Sequence, residues 1–154
     1  KECRIVNTSS LIHTVPSQLK EAELLAMDRI TKYHLRADYD HVIAYGISKL
    51  FNVVHTKMVM DEYARHNIVF NSCHPGTSVD TGLTAQHFGT CKAIINVASF
   101  VLRVVWKSND QCAATSMLLA CDPRIQQEKI NGAYFEDCGI REESKYAKSK
   151  AIME

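Results

Sequence analysis

The sequence predicts an α/β domain, with about three parallel strands covered by helices. Three observations carry that expectation. Short β-branched runs occur at residues 4–7 and 67–73, and a third strand pattern occurs at residues 132–138. Segments of helical periodicity separate them, so the order reads strand, helix, strand, helix, strand, which favours parallel pairing through crossovers. The chain has 154 residues, 46% of them hydrophobic, which is enough for one domain with its own core.

Taken in order, Arg4, Ile5, Val6 and Asn7 form a strand that runs into the polar Thr8-Ser9-Ser10. A charged helical segment is expected from about residue 18 to 35, with only Leu19, Leu25 and Ile30 as an apolar stripe. Residues 36–40, including Asp38 and Asp40, read as a solvated connection. The next helix begins near Ala44 and reaches Tyr63 or Arg65. It places Ile47, Leu50, Phe51, Val54 and Met58 on one face at three- and four-residue steps. The second strand is closed by His74-Pro75-Gly76, which opens a hydroxyl-rich loop over residues 77–83.

Residues 93–106 are apolar but short, and Asn96 and Arg103 interrupt them, so they are not a membrane span. They read as a buried or interfacial helix, or as a lid touching a membrane surface. Ser108-Asn109-Asp110 offers an N-cap to a helix that continues to Cys121 and is ended by Asp122-Pro123. The third strand follows, and residues 141–154 read as a surface helix or a frayed tail.

Composition removes several function classes. A net charge of +1, with no basic run interleaved with aromatics, argues against nucleic acid as a partner. The six cysteines are scattered without a C-x-x-C pair, so free thiols packed in a core are favoured over a disulfide framework. The seven histidines lack paired ligand spacing, so no metal is expected. Lys1-Glu2-Cys3-Arg4 shows neither a start methionine nor an apolar signal segment, and the expectation is a chain that begins inside a larger unit. A cytoplasmic location is expected, with the surface of the endoplasmic reticulum membrane as the alternative.

The informative pair is Tyr45 and Lys49, four residues apart near the start of the second helix. On a helix such side chains share one side, about one turn apart. A free tyrosine, with a pKa near ~10, is a poor base at neutral pH, whereas a neighbouring ammonium favours the phenolate. A Tyr-x-x-x-Lys pair can therefore handle protons, although the spacing alone is common. Ser10 and the loop from Pro75 to Thr81 fall at the same C-terminal strand edge, where open α/β sheets bind ligands. Together these groups suit hydride transfer between an alcohol or carbonyl and a nicotinamide cofactor. Ser10 would bond the substrate oxygen, Tyr45 would exchange its proton, and Lys49 would support the tyrosine.

The ordered set Arg4-Ile5-Val6-Asn7-Thr8-Ser9-Ser10, Tyr45-Gly46-Ile47-Ser48-Lys49, Asn71-Ser72-Cys73-His74-Pro75-Gly76 and Gly132-Ala133-Tyr134-Phe135-Glu136-Asp137-Cys138 resembles the later half of a short-chain dehydrogenase/reductase. Within that family it is most similar to retinol-dehydrogenase-like and WW-domain-oxidoreductase-like members. The resemblance implies one domain over residues 1–154, the C-terminal half of a Rossmann-like doubly wound parallel sheet whose N-terminal half is absent. It implies an NAD- or NADP-dependent oxidoreductase acting on an alcohol or carbonyl of a lipid-like substrate such as a retinoid or steroid. Ser10, Tyr45 and Lys49 match the catalytic serine, tyrosine and lysine. Tyr45, Lys49, Pro75, Gly76 and Thr81 would meet the cofactor, with Thr77 or Ser78 as alternatives to Thr81 because the spacing from the proline is one residue longer than usual. The Tyr45 helix would contribute to a homodimer, and residues 93–106 would contact a membrane surface.

The departures from the family pattern matter as much. No Gly-rich dinucleotide turn occurs, since Gly82 and Gly89 are too far apart to form one. Turnover by these residues alone is therefore not expected. A non-catalytic interaction domain that keeps the fold is the second reading. His74 reads as the donor or acceptor of a structural hydrogen bond, with contact to a ligand as the alternative, Cys73 as a packed thiol, and Asn7 as a tie between loops.

Overall fold

In a computed structural model, described over residues 3–18, 20, 22, 24, 39–76 and 107–153, the sheet has four strands in the order β1 (Cys3–Thr8), β2 (Ile68–His74), β3 (Tyr134–Glu136) and β4 (Gly139–Ile140). The first three are parallel, with Thr8 opposite Cys73 and Ser72 opposite Tyr134. β2 is the central strand, and its last five residues are all buried, as a strand covered on both faces requires.

β4 was not foreseen. The expected strand over residues 132–138 stops at Glu136 because Asp137 and Cys138 have φ of 51° and 59°. Two successive left-handed residues make the tight turn that folds β4 back antiparallel on β3.

Helix α1 (His41–Ala64) connects β1 to β2. Asp40 does more than solvate a turn: its carboxylate accepts from the amides of Val42 and Ile43 at 2.7 and 3.2 Å and caps the helix. Ile47, Leu50, Val53 and Val54 of α1 pack with Leu24, Tyr134, Tyr146 and Ala147 into one core cluster. The expected stripe is thus shifted: Val53 replaces Met58, which is exposed.

The other face carries α2 (Asn109–Cys121), with the capping box of Ser108 and Gln111, and the short α3 (Pro123–Gln127), capped by Asp122. Leu119 and Ile125 pack there with Cys73 and Phe135. Adjacent Tyr134 and Phe135 therefore serve opposite faces, as strand alternation dictates.

The C-terminal stretch is not a frayed tail. A 3₁₀ turn (Lys145–Lys148) and the short α4 (Lys150–Met153) dock on α1, burying Tyr146 and Ala147. Of the cysteines, Cys73 is buried, Cys112 is partly covered, and Cys3, Cys121 and Cys138 are exposed, all as free thiols. Among the described residues the expectation of core-packed thiols holds only for Cys73, and Cys91 lies outside them. Most of the expected helix over residues 18–35, and all of the apolar run over residues 93–106, lie outside the described residues.

Candidate active site

The C-terminal end of β1 is stitched to α1 one residue at a time. The Asn7 side-chain amide donates to the Thr56 hydroxyl at 2.9 Å, so it ties strand β1 to helix α1 rather than loop to loop. The Thr8 carbonyl accepts from Lys49 Nζ at 3.2 Å and from the Asn52 side chain at 3.0 Å. The Ser9 hydroxyl donates to the Lys49 carbonyl at 2.7 Å, and the Ser9 amide donates to the Cys73 carbonyl at 2.7 Å. Ser10 follows at once and opens a 3₁₀ segment (Leu11–Gln18).

Lys49 and Tyr45 stand one turn apart on α1, with the ammonium 5.5 Å from the centroid of the tyrosine ring. That lies inside the range where a cation interacts with an aromatic face. The Tyr45 side chain is exposed, at 39%, so a ligand has access to it. Between Tyr45 and the core, Gly46 lets α1 approach the 3₁₀ segment closely. A Cβ there would lie 2.9 Å from the Ile12 carbonyl oxygen and 3.0 Å from Pro16 Cδ.

The second exit from this edge is at β2. Pro75 and Gly76 follow directly after His74, beside the end of β1. Gly76 has φ +101°, a conformation strained for any other residue, and the Lys107 stem packs against it. Lys107 also pairs with Asp137, which holds that carboxyl below the usual range, chiefly through the hydrogen bond. His74 is buried, yet its Nδ1 has no hydrogen-bond partner among the described residues. Burial pushes its pKa down.

Burial pushes the Cys73 thiol up, which agrees with a packed rather than a reactive cysteine. Tyr134 is raised too, mainly by burial, and its hydroxyl is another orphan among the described residues. Of the expected site residues, Ser10, Tyr45, Lys49, Pro75 and Gly76 thus lie on one sheet edge or the helix packed beside it, and Thr81 lies outside the described residues.

The chain is similar to known proteins along its length. A chloroplastic short-chain dehydrogenase of Brassica napus, TIC 32 A, is 34% identical over 148 residues, 95% of this chain and 42% of that relative. The chain is a homologue of the short-chain dehydrogenases. The WW domain-containing oxidoreductase of Drosophila melanogaster is 27% identical over 133 residues, 84% of the chain and 31% of the relative. Mouse retinol dehydrogenase 12 is 28% identical over 151 residues, 98% of the chain and 42% of the relative. No protein-family model matches the chain. The chain spans about two fifths of the length of TIC 32 A and of mouse retinol dehydrogenase 12. For a short-chain dehydrogenase homologue, the α/β fold with three parallel strands is the expected framework.

Sequence reasoning missed Ser9, Asn52 and Gly46 as parts of this edge. Gly46 carried a signal, since a glycine inside a helix costs about 1 kcal/mol against alanine and calls for a packing reason. The others carried none, because a hydroxyl or amide does not announce which carbonyl it will reach.

Proposed function

We propose that the protein is an NAD- or NADP-dependent oxidoreductase interconverting an alcohol and a carbonyl, with Ser10, Tyr45 and Lys49 as its acid/base centre. The observation that carries this reading is the seating of Lys49. Its ammonium is tied to the Thr8 carbonyl on one side and lies against the Tyr45 ring on the other, while its own carbonyl receives the hydroxyl beside Ser10. These contacts support a common corner between β1 and α1 for Lys49, the Tyr45 ring and the residue preceding Ser10.

Part of a nicotinamide cofactor fits the residues present. Lys49 has further donors for ribose hydroxyls, and the Pro75-Gly76 turn is open enough in backbone to approach the nicotinamide end, with Thr81 as a further contact. A Gly-rich cradle for the pyrophosphate is not among the residues of this chain. When bound, the cofactor supplies or accepts the hydride. Ser10 donates a hydrogen bond to the substrate oxygen as negative charge develops on it. Tyr45 passes that oxygen its phenolic proton, or takes one back in the reverse direction. Lys49 contributes the positive charge next to the phenol.

A lipid-like substrate such as a retinoid or steroid is the preferred class. Relatives named retinol dehydrogenases support it, as does the apolar run over residues 93–106. Among the described residues no helix is long and apolar enough to cross a membrane. We place the protein in the cytoplasm or at the surface of the endoplasmic reticulum membrane, touching lipid through residues 93–106. The exposed Val42, Met58 and Tyr63 of α1 support that helix as a homodimer contact.

The test is turnover of the full-length protein, followed by cofactor absorbance with retinoid and steroid substrates. Tyr45→Phe should lower kcat by at least about 100-fold, the usual share of a general acid/base. An unchanged rate would remove Tyr45 from the mechanism. Calorimetry showing binding of neither NADH nor NADPH would instead favour the non-catalytic interaction domain.

A further inference from the structure

His13 is fully buried at 0% exposure, and the chemistry proposed above leaves it unused. Both ring nitrogens are engaged. Nδ1 lies 2.7 Å from the Ser10 carbonyl oxygen, which can only accept. Nε2 lies 3.1 Å from the Ser144 backbone N–H, which can only donate. These partners allow one state of the ring, neutral with the proton on Nδ1. The Ser10 carbonyl also receives the His13 backbone N–H at 3.0 Å, closing the turn that carries Ser10. On the far side, the Ser144 hydroxyl caps the 3₁₀ turn whose Tyr146 and Ala147 are buried against α1. The Tyr134 ring packs on the imidazole at 4.7 Å between centroids.

We propose that His13 is a positioning residue for Ser10: through this one neutral tautomer it latches the serine turn to the C-terminal segment 131 residues away. The proposal rests on the reading of Ser10 as the serine of the acid/base centre, and adds that its placement depends on a part of the chain remote in sequence. The titratable groups around the ring are Glu143 on the C-terminal segment, Glu136 and Tyr134 on β3, and His74 at the end of β2. Burial outweighs the Ser10 carbonyl bond and the two carboxylates, all of which favour the charged ring, and so lowers its pKa. Protonation would set an Nε2–H against the Ser144 N–H, two donors face to face, and the latch would open.

Long-range proton–nitrogen spectra of the full-length protein at neutral pH test the tautomer. A protonated Nδ1 with a bare Nε2 is expected, and a protonated Nε2 at that pH overturns the latch. In turnover assays His13→Ala should lower kcat by about tenfold or more, as a small displacement of a catalytic group does, with KM for the cofactor changed less than about twofold. His13→Asn, which keeps a donor near the Nδ1 position, should recover most of that loss, whereas equal losses in both variants overturn the proposal. Should His13→Ala not fold, amide exchange of the wild-type protein decides. Protection at Ser144 should fall about tenfold as pH is lowered through the His13 titration, after correction for intrinsic exchange, and constant protection refutes the latch. A wrong tautomer overturns the latch whatever Ser10→Ala does. A fully active Ser10→Ala overturns the role of Ser10 and leaves the tautomer result standing.

Discussion

Two turns leave the same edge of the sheet, and they are held in opposite ways. The exit of β1 is bonded: Thr8, Ser9 and Ser10 all exchange hydrogen bonds with α1, β2 or His13. The exit of β2 is held by shape, through Pro75, the left-handed Gly76 and the Lys107 stem, and it leaves His74 Nδ1 without a partner among the described residues. A satisfied bond is worth about 0.5–1.5 kcal/mol, whereas a buried orphan costs about 1–3 kcal/mol. The protein therefore invests rigidity on the side assigned to the proton and carries a local cost on the side assigned to the cofactor.

That contrast can be broken from either side. The largest effect is expected at Gly46, where a methyl would push against the Ile12 carbonyl and Pro16. Gly46→Ala should destabilise the fold by about 1–2 kcal/mol despite the better helix propensity of alanine, because overpacking outweighs it. Urea denaturation measures this, and a stabilised variant would show that the bonded exit is looser than drawn.

The next largest effect is with pH. Burial lowers the pKa of both His13 and His74 from their ordinary 6.5. Between the folded values and 6.5 the unfolded chain binds more protons, so stability rises with pH there. It should be full above about pH 6.5 and fall as pH drops through the folded values, by up to about 1.4 kcal/mol per pH unit for each ring. Urea midpoints between pH 5 and pH 8 test the sign, and a flat profile would contradict it.

Two substitutions then separate the exits. Ser9→Ala removes the hydroxyl bonded to the Lys49 carbonyl and should cost about 1 kcal/mol. His74→Phe removes a ring whose Nδ1 has no partner among the described residues and should lie within about 0.5 kcal/mol of the parent, or above it. It should also make the pH profile shallower, since one of the two titrating rings is gone. A large loss in His74→Phe would mean that this ring has a partner after all.

The sequence by itself determined the framework and where the residues proposed to carry the chemistry fall along it. β-branched runs ended by Ser10 and by Pro75-Gly76 set the strands and their exits, and a four-residue spacing set Tyr45 beside Lys49. Those are local properties, governed by periodicity and chain stiffness. Met58 shows the limit of periodicity: it shares the helical stripe, yet it is exposed, and Val53 takes its place in the core. Only the tertiary structure decided which carbonyl Lys49 would reach, that His13 would stand between Ser10 and Ser144, that the end of the chain would bury Tyr146 rather than fray, and that His74 Nδ1 would find no partner among the described residues. Each of these joins groups far apart in the chain. Hydrogen-bond valence names what a side chain can accept or donate, but packing alone chooses the partner.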